Sequence, residues 1–265
     1  MALRIQGRRM PLSSPHAHVP LRTGAVGTLL LLLAAARRVA DGAVDGGMLL
    51  RRTPEDVAGG SGIWRTLAVE ALPLVDVAAL VGAVRDNLAT NVLLRHVGLS
   101  GVADSTASMG LMRTGLHDRV RAARGAADPE SASSGTALEL CWLAERLMRG
   151  SAMGGSADRL VRGWLSANVD QSMVGAAFVE RFGVDPLAHH ASLGGELAYW
   201  NTTGTEPGVR ADIGAATWAG RTVAWTAIAN WAPELDDKLG AEVLAGMRSV
   251  GDSVIDFLTR TGPSE

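Results

Sequence analysis

The basic residues of this chain set a first limit on its chemistry. Lys238 is the only lysine among 265 residues, whereas arginine occurs 24 times. An arginine guanidinium stays protonated in proteins and cannot act as a base at neutral pH. It can, however, hold a carboxylate through two parallel hydrogen bonds. The chain is therefore better equipped to bind anions than to run chemistry that depends on lysine.

Three segments combine polar, charged and glycine residues in an order that has chemical meaning. They are Pro20-Leu21 with Gly24-Ala25-Val26-Gly27-Thr28, Arg85-Asp86-Asn87 with Leu88-Ala89-Thr90-Asn91, and Asn201-Thr202-Thr203-Gly204-Thr205 with Gly208-Val209-Arg210. This order resembles the serine hydrolases of the class A β-lactamase and penicillin-binding-protein type, whose motifs read S-x-x-K, S-D-N and K-T-G. Gly60-Ser61-Gly62-Ile63 also fits, and the resemblance covers nearly the whole chain.

Four motif positions hold residues that differ from the family pattern. Ala25 stands at the nucleophile, Thr28 at its partner lysine, Arg85 at the S-D-N serine and Thr202 at the K-T-G lysine. An alanine side chain cannot form an acyl-enzyme, and a threonine hydroxyl without a base is a weak nucleophile. The resemblance therefore implies a β-lactamase-like protein that lacks the Ser-Lys acylation machinery.

The loop between about residues 116 and 134 is where the family carries its deacylating glutamate. Asp118, Asp128 and Glu130 are the carboxylates available there, and none lies in an E-x-x-L-N pattern. The second half of the covalent reaction also has no recognisable residue in this sequence.

The remaining motif residues indicate a binding cleft for a small molecule. Those expected to contact the ligand are Arg85, Asn87, Thr202, Thr203, Gly204, Thr205, Arg210 and Trp64. Asp86 is expected to brace the local turn, since a short acid at a helix start commonly accepts backbone amides. Guanidinium, amide and hydroxyl groups together suit an anionic or amide-bearing ligand. The alternative is that several of these residues only shape or pack the fold.

The resemblance implies an α/β two-lobed fold, with an antiparallel sheet flanked by helices and an all-helical lobe. We expect one domain over 1–265, with an α/β lobe at about 1–40 and 190–265 and a helical lobe at about 41–189. Apolar spacing predicts helices, and alternation predicts strands. The predicted helices are 24–40, 75–85, 87–96, 137–148, 157–167 and 235–259. The predicted strands are 196–201, 209–217 and 221–230, and 2–10 resembles the family's second strand with Gly7-Arg8-Arg9 as its turn. If 2–10 is the family's second strand, no room remains for the usual first helix and strand. We therefore expect either that the sheet has lost an edge strand or that the sequence starts late relative to the family.

Other functions find little support in the sequence. A net charge of −2 without a basic block argues against nucleic-acid binding. The histidines form no metal pattern, although His189 and His190 could reach a cleft, and Cys141 lies in an apolar helix. The apolar run 24–36 is too short to span a membrane. We expect no cofactor, no membrane contact and a cytoplasmic location, and we leave the oligomeric state open.

Two classes of function remain. The first is an enzyme of specialised metabolism that works by non-covalent acid/base or orientation catalysis, for example a cyclisation, isomerisation, elimination or hydrolysis. The second is a non-catalytic pseudoenzyme that binds or sequesters a small molecule such as an antibiotic, or that supports a partner protein. The sequence alone does not separate them.

Overall fold

The fold is built on one long antiparallel sheet that helices cover on both faces. A computed structural model describes residues 1–185 and 197–260. The strands in sheet order are β2 (Leu12–Ser13), β1 (Ala2–Ile5), β10 (Arg221–Asn230), β9 (Val209–Trp218) and β8 (Leu197–Glu206). β8 is an edge strand, so one of its sides is free to form part of a site. This mixed α/β architecture confirms the predicted fold class.

The hairpin between β9 and β10 follows directly from its sequence. Ala219 and Gly220 both have positive φ, 47° and 79°, as a tight two-residue hairpin turn requires. The partners pair in register from Arg221 opposite Trp218 to Asn230 opposite Val209. The predicted strands 209–217 and 221–230 are therefore confirmed, whereas β8 runs five residues beyond the predicted end at 201, to Glu206.

The helices agree with the periodic patterns, with two additions. They are α1 (Thr28–Ala40), α2 (Leu74–Val84), α3 (Asn87–Val97), α4 (Leu99–Ser108), α5 (Ala137–Arg149), α6 (Gly155–Ser166), α7 (Gly175–Phe182) and α8 (Asp236–Thr259). A 3-10 turn at Gly24–Gly27 precedes α1, so the predicted helix 24–40 changes type at its start. The helices α4 and α7 were not predicted. Two small sheets complete the fold. One has three strands in the order β3 (Leu21–Arg22), β7 (Ser133–Gly135) and β6 (Gly115–Leu116). The other pairs β4 (Leu49–Arg51) with β5 (Ala71–Pro73).

Two apolar cores position these elements. The larger core surrounds α1, whose residues from Thr28 to Ala36 are all buried. The second lies between the sheet and the pair α7 and α8, where Phe178 packs against Trp225 with ring centroids 5.4 Å apart. The uninterrupted apolar sequence of α1 is thus explained by burial on all sides.

The N-terminal segment differs from its prediction. Ala2–Ile5 pairs with β10 on one side and with β2 on the other, so it is an interior strand. The predicted strand region 2–10 ends earlier than expected, at Ile5, and the turn expected at Gly7-Arg8-Arg9 begins at Gln6 and leads to the short strand β2. The sheet keeps an edge strand beyond β1, and the expected loss of an edge is not seen. The division into two lobes stays a prediction.

Candidate functional site

A cleft of about 500 Å³ opens where the start of α1, the edge strand β8 and the turn between α2 and α3 meet. The segment 117–132, which joins β6 to β7, covers it and is called the roof loop below. Ala25, Arg85, Asn87 and Thr205 all line this cleft. The structure therefore brings together residues from all three sequence motifs.

The start of α1 offers no strong nucleophile to the cleft. Ala25 presents a methyl group, and the Thr28 hydroxyl donates to the Ala25 carbonyl oxygen at 2.7 Å. Thr28 is buried and Lys238 belongs to α8, so no amine accompanies either side chain. Without an adjacent base, the Thr28 hydroxyl is a poor nucleophile.

The edge of β8 presents backbone donors to the same place. The turn after Glu206 leads into β9, so that Glu206 lies opposite Val209 at the end of the hairpin. The next pair along the strands, Thr205 and Arg210, is then a pair whose backbones are not hydrogen-bonded to each other. The Thr205 amide consequently points outward from the sheet edge. Gly204 packs closely on the start of α1, since a Cβ there would lie 2.0 Å from the Thr23 carbonyl oxygen and 3.2 Å from the Ala25 nitrogen. The Ala25 and Thr205 amide nitrogens lie on the two sides of this close contact.

Asp86 fixes the turn between α2 and α3. Its carboxylate accepts hydrogen bonds from the amides of Ala89 at 2.9 Å, Ile63 at 2.7 Å and Trp64 at 2.8 Å. It is buried and caps α3. Asn87 lies at the cleft surface, where its side-chain amide donates to the Gly59 carbonyl at 2.8 Å.

Arg85 occupies an unusual backbone position and makes an ion pair with Asp170. Its φ of 52° is in the left-handed region, and its guanidinium lies 2.9 Å from Asp170. Asp170 also accepts hydrogen bonds from Thr203 at 2.7 Å and Ser172 at 2.6 Å. Burial opposes ionisation of Asp170, but the hydrogen bond from Ser172 and the charge of Arg85 outweigh it and lower its pKa. Arg85 and Thr203 are therefore engaged with protein groups, and Asp170 is a site residue that the motifs did not reveal.

Five of the residues predicted to contact the ligand do not line the cleft, namely Trp64, Thr202, Thr203, Gly204 and Arg210. Trp64 is fully buried and its indole donates to the Val69 carbonyl at 3.0 Å. Thr202 is buried, because it shares the face of β8 that carries Trp200 into the larger core. Their predicted ligand contacts are corrected accordingly.

Arg210 also lies away from the cleft. Its guanidinium donates to the carbonyls of Glu206 at 3.0 Å and Val209 at 2.8 Å. It also lies 3.6 Å from Asp236 and stacks over the Trp231 ring. These partners at the start of α8 hold it away from any ligand in the cleft.

The roof loop is held by charge pairs. Asp118 accepts hydrogen bonds from Arg121 at 2.6 Å and Arg124 at 2.7 Å, and Arg121 also lies 3.2 Å from Asp128. Burial acts to raise the pKa of Asp118, but the hydrogen bonds from the two arginines act more strongly, so the pKa is lowered. Asp118 and Asp128 are therefore ion-pair partners, and neither is a free base.

Glu206 is the cleft residue that the sequence analysis missed. It ends β8 directly after Thr205, and its Cγ lies 3.4 Å from the place a Cβ on Gly24 would occupy. Burial raises the pKa of Glu206, although Arg124 and Arg22 act to lower it. The only sequence signal was its position after the Thr-Gly-Thr segment and before Pro207. A carboxyl with a raised pKa in a cleft is a candidate for proton transfer.

Metal and thiol chemistry find no support in the described residues. Within 1–185 and 197–260, no group of three His, Cys, Asp or Glu side chains could hold a metal ion. His189 and His190 lie outside the described residues. Cys141 is buried, and burial raises the pKa of its thiol. No helix in these ranges is long and apolar enough to cross a membrane.

The mixed α/β architecture and the position of the cleft match a known class of protein. The model of the β-lactamase enzyme family matches residues 16–255 of this chain. A β-lactamase from Sphaerobacter thermophilus superposes with a TM-score of 0.81 at 20% identity, covering 99% of this chain and 92% of that one. The structure of PBP-A gives 0.75 at 16% identity, with 95% and 88% covered. A β-lactamase from Burkholderia vietnamiensis gives 0.71 at 17% identity, with 98% and 91% covered.

This chain belongs to the β-lactamase enzyme family, as its motifs indicated. The structural neighbours are too distant in sequence to show more than the fold. No curated protein sequence matches the chain. What the cleft binds or converts must therefore be argued from its own residues.

Proposed function

We propose that this protein acts on a small anionic or amide-bearing molecule in the cleft without forming a covalent acyl intermediate. The observation that carries the proposal is the pairing of Ala25, which has no nucleophilic atom, with Glu206, a cleft carboxyl whose pKa is raised by burial. The first removes acyl-enzyme chemistry, and the second supplies a proton donor or acceptor. Non-covalent acid/base and orientation catalysis remain.

The backbone of the site supports this role. Amides at Ala25 and Thr205 offer two donors to a carbonyl or anionic oxygen, and fixed donors stabilise charge that develops in a transition state. Asn87 adds a side-chain amide on the opposite wall. A ligand can therefore be oriented by the cleft while Glu206 moves a proton.

A second candidate function is non-catalytic binding of a small molecule. It is favoured by the engagement of most charged cleft groups in internal ion pairs, notably Arg85 with Asp170 and Asp118 with Arg124. Such pairs make a rigid cleft, which suits a binder as well as an enzyme. Support of a partner protein belongs to this alternative.

The acyl-free part of the proposal is tested by intact-mass spectrometry. After incubation with penicillin G or a fluorophosphonate, we expect the mass of the protein to be unchanged, while a serine β-lactamase treated in parallel gains the adduct. An adduct on Thr23, Thr28 or any serine would overturn the proposal.

Turnover is tested with a metabolite extract of the host organism. Depletion of one compound with accumulation of a product, well beyond one equivalent of protein, supports the enzyme. A compound that co-purifies unchanged at about one per protein supports the binder. Roles in specialised metabolism and a cytoplasmic location are proposals from the sequence.

A further inference from the structure

Arg22 is the cleft arginine with the most available hydrogen-bond donors. Its guanidinium makes no hydrogen bond to the described residues, and its nearest acid, Glu130, is 3.9 Å away with 86% of its side chain exposed. Its backbone is fixed, because the Arg22 amide donates to the Asn230 side chain at 2.9 Å and the Asn230 amide donates back at 2.9 Å. A rigid backbone thus carries a side chain that is free to bind.

Arg124, on the roof loop, is the second arginine that lines the cleft and acts on Glu206. One of its terminal nitrogens donates to Asp118 at 2.7 Å and to the Pro129 carbonyl at 3.2 Å, next to the Glu130 that approaches Arg22. Both guanidinium groups act electrostatically on Glu206, and all three side chains line the same cleft. One end of the cleft therefore combines two positive groups with one half-buried carboxyl.

The other cleft arginines are already committed. Arg85 is paired with Asp170, and Arg121 is shared between Asp118 and Asp128. A ligand anion at Arg85 would have to compete with a carboxylate that two hydroxyls also hold. At the Arg22 end, only the exposed Glu130 approaches Arg22 among the described residues, whereas Arg124 keeps its hydrogen bond to Asp118 and offers its remaining donors.

We infer that an oxyanion of the ligand binds between Arg22 and Arg124, and that Glu206 carries a proton in the complex. The ligand class is a compact carboxylate, sulfate or phosphate attached to the small molecule of the proposed function, on which this inference rests. A protonated Glu206 donates a hydrogen bond to the anion, whereas an ionised one repels it.

The surroundings of Glu206 favour this coupling. Burial raises its pKa, and the charges that oppose this are Arg124 and Arg22. An anion that binds both arginines neutralises their effect and adds a negative charge, so the pKa rises further. The negative charge of Glu130 acts in the same direction. The turn Gly24–Gly27 contributes no charged residue, and Asp236 is paired with Arg210. Binding should therefore take up a proton and weaken as the pH rises.

Sulfate is the probe of choice, because its charge does not change between pH 5 and pH 8. Calorimetric titration of the full-length protein at low ionic strength, in two buffers of different ionisation enthalpy, measures affinity and proton uptake together. We expect uptake of up to one proton, and an affinity that falls by up to about tenfold per pH unit above the pKa of Glu206.

The variants are chosen by charge. Arg22→Gln should weaken sulfate binding by roughly tenfold or more, and Arg22→Lys should recover part of it, as expected for a charged hydrogen-bond donor. Glu206→Gln should abolish proton uptake and leave an affinity that is nearly constant with pH. Arg248→Gln removes a distant charge on α8 and serves as the matched control. Thermal unfolding of each variant verifies that it is folded.

Specific results would overturn the inference. These are no sulfate binding by the wild type, equal affinity of Arg22→Gln and Arg248→Gln, or unchanged proton uptake in Glu206→Gln. None of them would produce the covalent adduct that would overturn the proposed function, so the two failures can be told apart.

Discussion

Replacing Asp170 by asparagine should destabilise the protein and loosen the cleft. The substitution keeps the size of the side chain and an oxygen for the Thr203 hydroxyl, now 2.7 Å away, but it removes the charge that faces Arg85. Arg85 then remains with only a neutral partner, in a left-handed backbone conformation that a non-glycine residue seldom adopts.

The magnitude follows from the burial of the pair. Removing one partner of a fully buried pair costs about 3–5 kcal/mol, because an uncompensated charge stays inside. Here the two side chains are 19% and 16% exposed, so water can partly hydrate Arg85, and we expect about 2–3 kcal/mol. For a chain of this size, that corresponds to a melting temperature lower by about 5–10 °C.

Urea unfolding at pH 7 of the wild type, Asp170→Asn, Arg85→Gln and the double variant completes a thermodynamic cycle. We expect a coupling energy above about 1 kcal/mol. The folded-state pKa of Asp170 is lowered, so the stabilisation is present above its ordinary value and is lost as the pH falls through the lowered one. The role of the ion pair would be refuted if the two single substitutions changed the free energy of unfolding additively. It would also be refuted if the wild type remained more stable than Asp170→Asn under strongly acidic conditions.

Three further predictions concern packing and titration. Gly204→Ala should cost about 3 kcal/mol or more in urea unfolding, because its Cβ meets the Thr23 carbonyl at 2.0 Å, whereas Gly246→Ala, with nothing within 4 Å, should be neutral or stabilising. Burial raises the pKa of Asp212 to about 7, so wild-type stability should fall by up to a few kcal/mol between pH 4 and pH 7. Asp212→Asn should lack that slope, and an identical slope would contradict the assignment. Cys141 should react with a thiol reagent only after unfolding, and fast labelling of the native protein would disprove its burial.

The fold could be predicted because its main elements carry strong local signals. The apolar run of α1 and the Ala219–Gly220 turn each determine one structure with little dependence on distant residues. The helices α4 and α7 escaped prediction, since α4 contains glycine and several serines and threonines and α7 has only eight residues. Their stability depends on packing, with α7 resting on α8.

The site could be predicted only in part, because its chemistry depends on which partner each charge finds. The motifs located Arg85 and Thr203, but not Asp170, which joins them from a distant part of the chain. Arg210 was expected in the cleft, but the Glu206 and Val209 carbonyls, the Trp231 ring and Asp236 hold its guanidinium elsewhere. Pairings of this kind arise from tertiary structure and leave no periodic signal in the sequence.

Glu206 provides the test that separates enzyme from binder. Arginines cannot exchange protons near neutral pH, and Asp118 is held ionised by Arg121 and Arg124, so Glu206 is the described cleft group best suited to proton transfer. With a substrate from the metabolite screen, Glu206→Gln should lower turnover by about 10²–10⁴-fold, the usual contribution of a general acid or base. Glu242→Gln, an exposed carboxylate change on α8, should retain full turnover. Undiminished turnover in Glu206→Gln would exclude proton transfer by this residue and leave orientation by the Ala25 and Thr205 amides as the mechanism.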